Sequence, residues 1–222
     1  MTSDLTNTLS APNFPSPTSL ERRADFAIHT IGLVGVGVGS VFVVRAAFDT
    51  GPFALVIAAW TYALAVLASI GVSFAYHLLP RHDARARLRR WDHAAIYTSI
   101  AGTFSPLLVK AGTASGMAML AAVWLLAIMG VVFKLSGDHG DSRWSLVSYL
   151  GLGGFTFLAL PDVWTQLPPI TTYAVAAGAG FYAIGTAFYR KRGMRYRYPI
   201  WHAWGTLGGL CFFVAVWNAV TG

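Results

Sequence analysis

Two histidines, an aspartate and a serine lie at the edges of long apolar runs: His77, His202, Asp92 and Ser73. Ionisable side chains inside membrane spans are costly, so each one is a functional candidate by default. Two imidazoles and one carboxylate form a typical ligand set for catalytic zinc, which keeps one coordination position open for water. The sequence therefore predicts a zinc site made by His77, His202 and Asp92.

Asp92 and Ser73 also suit catalytic roles. Asp92 would either bind the metal or accept a proton from water, as a general base does. Ser73 lies four residues before His77 and shares its helix face, where its hydroxyl could bond water or a substrate oxygen.

Simpler interpretations of these residues stay open. Ser73 could bond the carbonyl one turn earlier, Asp92 could complement a helix dipole, and the histidines could lie at the interface without a metal.

The composition indicates that membrane helices position these residues. Of 222 residues, 55% are hydrophobic and only 11% are charged, and the mean hydropathy is +0.56. Soluble domains carry about 25% charged residues. The net charge of +7 does not indicate nucleic-acid binding, because the basic residues form short clusters between apolar runs. Cys211 is the only cysteine, which excludes an internal disulfide and a thiolate metal site.

Seven apolar stretches approach the roughly 20 residues that a helix needs to cross a bilayer. We expect an all-α bundle of seven transmembrane helices in one domain, 21–222. The first twenty residues, rich in Ser, Thr and Pro, are expected to form a disordered cytoplasmic tail, 1–20. The predicted spans are Phe26–Val44, Pro52–Leu79, Asp92–Val109, Ser115–Phe133, Trp144–Leu160, Ile170–Tyr189 and Pro199–Val220.

The distribution of basic residues predicts the orientation. Of the 16 lysines and arginines, all except Arg45 and Lys110 fall on the side that holds the amino terminus. Basic residues accumulate on the cytoplasmic side, so we expect a cytoplasmic amino terminus and an outer carboxyl terminus. The second span then ends at the cytoplasm, while the third and seventh begin there. His77, Asp92 and His202 should consequently lie at similar depth, near the inner interface.

Five segments of the sequence form a recognisable pattern: Glu21 to Gly32, Ser73-x-x-Tyr76-His77, Arg90-x-Asp92-His93, Ile100-Ala-Gly-Thr103-x-x-Pro106 and Ile200-Trp201-His202. These motifs resemble those of the hemolysin III family, the bacterial branch of the progestin and adipoQ receptors. The resemblance implies seven helices and a zinc site near the inner leaflet. It also implies that a serine and a histidine come from the second span, an aspartate from the third and a His-x-x-x-His pair from the seventh. The first histidine of that pair falls on Tyr198.

Two classes of function follow from this resemblance. One is zinc-assisted hydrolysis of an amide or ester bond in a membrane lipid, as in the ceramidase-type activity associated with the wider superfamily. The other is a non-enzymatic role, in haemolysis or membrane homeostasis, with a structural metal. Three evident ligands favour an open, catalytic-type site, because structural zinc usually has four. We expect a bacterial cytoplasmic-membrane protein whose partners are membrane lipids, with no nucleic acid and no soluble partner.

Overall fold

Helices form the regular secondary structure of the described part of the chain. The computed structural model describes residues 14–136 and 143–222. A 3₁₀ turn, Phe157–Ala159, joins α5 to α6 without a break. The eight α-helices are α1 Ser19–Thr50, α2 Phe53–Leu78, α3 Arg85–Ala111, α4 Ala114–Leu135, α5 Arg143–Thr156, α6 Leu160–Gln166, α7 Pro169–Tyr189 and α8 Arg197–Thr221.

The helices correspond to the seven predicted spans once α5, the 3₁₀ turn and α6 are taken as the fifth segment. Among the residues described, α1, α2, α4 and α8 are each long and apolar enough to cross a membrane. Within the described residues α3, α5, α6 and α7 do not meet this criterion. For the third and fifth segments this agrees with their short apolar stretches in the sequence. The expected all-α membrane bundle is confirmed.

The first helix begins inside the segment predicted as a tail. Thr18 caps it, because its hydroxyl accepts from the Glu21 backbone N–H while the Glu21 carboxylate accepts from the Thr18 backbone N–H. This reciprocal pair satisfies two backbone donors at the helix start. The part of the predicted tail before Phe14, residues 1–13, lies outside the described residues.

Helices α1, α2 and α8 pack side by side, and α3 lies against α2 and α8. Gly102 permits the close approach of α3 to α2, because a Cβ atom there would lie 2.5 Å from Ala65 Cβ and 3.3 Å from the Thr61 backbone oxygen. The main apolar core occupies the end of the bundle where α1 finishes and α2 begins. Its members include Val43, Leu55 and Val216. The opposite end, where α1 and α8 begin and α2 finishes, holds the polar residues.

The orientation in the membrane remains a prediction, and a reporter fusion would test it. We expect a reporter fused after Gly222 to be active only outside the cytoplasm, because the basic residues on the amino-terminal side hold that side in the cytoplasm. A fusion after Leu135, which the same orientation places in the cytoplasm, is the matched control. Cytoplasmic activity of the fusion after Gly222 would contradict the seven-span orientation.

Candidate metal centre

The centre of the polar cluster is the carboxylate of Asp25, two turns into α1. Asp25 is fully buried, and its salt-bridge partners within the described residues are the histidines His29, His77 and His202. Burying a carboxylate among apolar helices is unfavourable unless positive charge or hydrogen bonds compensate it. The arrangement therefore suits either protonated imidazoles or a bound cation.

His77 and His202 approach the two oxygens of this carboxylate from different helices. His202, at the start of α8, donates from Nδ1 to Oδ1 at 2.6 Å. His77, one residue before the end of α2, donates from Nδ1 to Oδ2 at 3.1 Å. The two imidazole rings are 4.4 Å apart. Within the described residues, Asp25, His77 and His202 form a group that could hold a metal ion, with one ligand atom from each lying within 4.8 Å of the others.

A third histidine connects this group to Ser73. His29 lies one turn after Asp25 on α1, and its Nδ1 donates to the Asp25 backbone oxygen at 2.9 Å. Its Nε2 lies 3.2 Å from the Ser73 hydroxyl on α2. The His29 ring is 4.2 Å from the His202 ring. His29 therefore fixes the position of Ser73 relative to Asp25 and His202.

The carboxyl group of Asp92, on α3, interacts with the same cluster. It is within hydrogen-bonding reach of the Ser73 side chain and close enough to His29 and Asp25 to interact with their charges. Asp92 does not belong to the group of three residues whose ligand atoms converge. The four residues predicted from the sequence are thus arranged as two parts, His77 with His202, and Asp92 with Ser73, which His29 and Asp25 connect.

Tyr198 also lies at this centre. Its ring is 5.0 Å from the ring of His77 and stacks on His202 at 6.5 Å. The phenol oxygen accepts a hydrogen bond from the Arg197 guanidinium at 2.6 Å. The position that would carry a histidine in the family pattern therefore faces both histidines.

The sequence-based prediction did not include Asp25 or His29. A signal for them was present, because the two residues are four apart and so lie on one helix face. In the predicted orientation the first span also begins at the cytoplasm, which places Asp25 at the depth of His77 and His202. The argument from depth therefore applied equally to the first span.

Comparison with known proteins identifies the family. The model of the haemolysin-III related family matches residues 23–213. The chain belongs to this family. It is 27% identical over 198 residues to a hemolysin-3 homolog of Bacillus subtilis (strain 168), covering 88% of the chain and 92% of the relative. It is 25% identical over 197 residues to hemolysin-3 of Bacillus cereus, covering 88% and 90%.

The position of Tyr198 leads to a prediction for this haemolysin-III related chain. We expect Tyr198→His to tighten metal binding, because it adds an imidazole one helical turn before His202, on the same face. The measurement is competition with a chelator, comparing the variant with wild type. Tyr198→Phe is the matched control, since it removes the phenol oxygen without adding a ligand. Equal affinity of wild type and Tyr198→His would mean that position 198 does not reach the metal.

Proposed function

We propose that the protein is a zinc-dependent membrane hydrolase that cleaves an amide or ester bond of a lipid. The observation that carries the proposal is the fully buried Asp25 carboxylate in contact with His77 and His202. Membership of the haemolysin-III related family supports a membrane protein. The side chains around the three candidate ligands can serve as a general base and an oxyanion donor, which supports a hydrolytic reaction.

Zinc is the metal that this donor set fits best. Two imidazoles and one carboxylate are the protein ligands of several catalytic zinc sites, which leave the fourth position to water or substrate. Asp25 supplies the carboxylate in this proposal, and it compensates for the histidine that the family pattern has at position 198. The ligands then come from α1, α2 and α8, so a bound metal would cross-link these three helices.

Four side chains near these ligands can be assigned chemical roles. Zinc bound at the site would act as a Lewis acid on a scissile carbonyl and would favour ionisation of water. Asp92, outside the group of ligands, is the general base that removes a proton from the attacking water. Ser73 would redirect its single hydroxyl hydrogen from His29 Nε2, which accepts it in the structure, to the oxyanion that develops on the carbonyl. His29 holds the serine oxygen in place, 3.2 Å from its Nε2. The Tyr198 ring, beside His77 and His202, forms part of the lining of the centre.

The place of the centre in the bundle suggests the substrate class. The centre lies at the end of the bundle where α1 and α8 begin, which is the predicted inner interface of the bacterial cytoplasmic membrane. The amide and ester bonds of membrane lipids occupy that depth, between the acyl chains and the headgroups. A lipid could therefore present its acyl bond to the centre from within the bilayer, with no soluble partner.

The test is turnover of lipids by the purified protein in bilayers. We expect release of fatty acid from an amide lipid such as ceramide or from an ester lipid, measured by mass spectrometry, with loss of release after chelation and recovery on adding zinc. The absence of release in all lipids tested, with zinc confirmed in the protein, would contradict the hydrolase. It would favour a membrane-perturbing role with a structural metal; the Bacillus cereus relative is named hemolysin-3.

A further inference from the structure

The chain before α1 reaches into the metal centre. Ser16 is only 1% exposed, and its hydroxyl donates to Asp25 Oδ2 at 3.0 Å. The same oxygen accepts from His77 Nδ1. The segment Phe14–Thr18, called the strap below, therefore contributes a buried hydrogen bond to the residue at the middle of the site.

Phe14 anchors the start of the strap between two helices. The guanidinium groups of Arg22, on α1, and Arg85, on α3, lie 5.1 Å and 5.0 Å from the centre of its ring. The His82 ring packs edge-on against it at 5.0 Å. The contacts hold the strap across the end of the bundle.

Arg85 connects this anchor to the end of the helix that carries His77. Its guanidinium donates to the backbone oxygen of Tyr76 and, at 2.8 Å, to that of Leu79. The last carbonyl groups of a helix lack partners inside the helix, so these bonds fix the end of α2. The strap, the end of α2 and His77 are consequently held by one continuous set of contacts.

Glu21 anchors the other end of the strap. One carboxylate oxygen accepts from the Thr18 hydroxyl at 2.8 Å, and the other accepts from the backbone N–H of Tyr196 at 2.8 Å. Tyr196 has a positive φ of 57° and immediately precedes α8. Glu21 thereby links the strap to the start of the helix that carries His202.

The strap also lies in a recess of the surface. Two cavities, of about 420 Å³ and 390 Å³, are both lined by Phe14. One extends toward Tyr76 and Arg85, and the other toward Phe26 and Leu78. Phe14 thus lies between them, while Ser16 and Asp25 beneath are buried. The strap residue that contacts the carboxylate, Ser16, is therefore itself buried beneath the surface.

We propose that the strap closes the metal centre and that Ser16 is a positioning residue for Asp25. The inference rests on the proposed metal site and concerns how that site keeps its ion. The Ser16 hydroxyl orients the carboxylate, and the anchored strap slows exchange of the ion with the surrounding solution. Hydrogen bonds to metal ligands typically change metal affinity by about 10–100-fold, so the effect of removing this one is large enough to measure.

The experiment compares full-length variants loaded with zinc, by chelator competition and by the rate at which excess chelator removes the metal. We expect Ser16→Ala to bind zinc about 10–100-fold more weakly and to lose it faster. Phe14→Ala, which keeps the hydroxyl and releases the anchor, should lose zinc faster than wild type. Ser19→Ala is the matched control, because Ser19 is exposed at the start of α1, and it should match wild type in both measurements.

Circular dichroism and size-exclusion chromatography would show that each variant retains its helices and its size. If Ser16→Ala and Phe14→Ala both match wild type in affinity and in the rate of zinc loss, the strap has no role at the metal and the proposal is overturned, while the metal site stands. A wild-type protein that binds no zinc would instead overturn the proposed function. The two failures are therefore distinguishable in one set of measurements.

Discussion

Replacing His77 or His202 with glutamine is expected to abolish zinc binding by the purified protein. Each change removes one of the three proposed ligands, so the loss should exceed the 10–100-fold that is typical of a change outside the ligand shell. Glutamine retains much of the volume of histidine and a hydrogen-bond donor for Asp25. Asp25→Asn should have the same effect, because it removes the anionic ligand. The measurement is metal content after purification, together with affinity by chelator competition.

His93→Gln is the matched control for these variants. His93 lies on α3, near Tyr149, and belongs to no group of converging ligands among the described residues. We expect its metal content to equal that of wild type. Asp92→Asn should weaken binding less than Asp25→Asn, because Asp92 lies outside the group of converging ligand atoms. A larger loss of zinc affinity in Asp92→Asn than in Asp25→Asn would assign the ligand role to Asp92. Unchanged zinc content in both histidine variants would contradict the proposed site.

Asp92→Asn is expected to lower the rate of fatty acid release by about 10²–10⁴-fold, the usual contribution of a general base. Ser73→Ala is expected to lower it by about 10²–10³-fold, the usual cost of losing one oxyanion donor. Both variants should keep a bound zinc ion, since neither residue is a ligand in the proposed centre. The measurement is lipid turnover in bilayers at matched protein and zinc content.

Two comparisons separate catalytic roles from structural ones. Ser73→Thr keeps a hydroxyl at the same position and should retain more activity than Ser73→Ala. Ser99→Ala is the matched control on α3, because the Ser99 hydroxyl donates to the Ile96 backbone oxygen of its own helix. We expect activity close to wild type in this control. Equal fatty acid release by wild type, Asp92→Asn and Ser73→Ala would exclude the proposed mechanism.

The membrane character of the chain, the position of its helices and the placing of His77 and His202 at one end of the bundle follow from the sequence alone. Hydropathy is a local property: an apolar run long enough to cross a bilayer must satisfy its backbone groups within itself, and a helix does so. The order of spans then fixes which helix ends share one side. His77 ends the second span and His202 begins the seventh, so both belong to the same side before any packing is known.

The tertiary structure alone decided which carboxylate lies between the two histidines. Asp25 and Asp92 are both predicted to lie at the depth of the two histidines, so depth does not distinguish them. Which of the two carboxylates faces the histidines depends on how α1 and α3 are rotated about their own axes. Close contacts such as that of Gly102 on α3 with Ala65 on α2 constrain that rotation, and a single sequence does not specify them. The path of the chain before α1 likewise determined that Ser16 reaches Asp25.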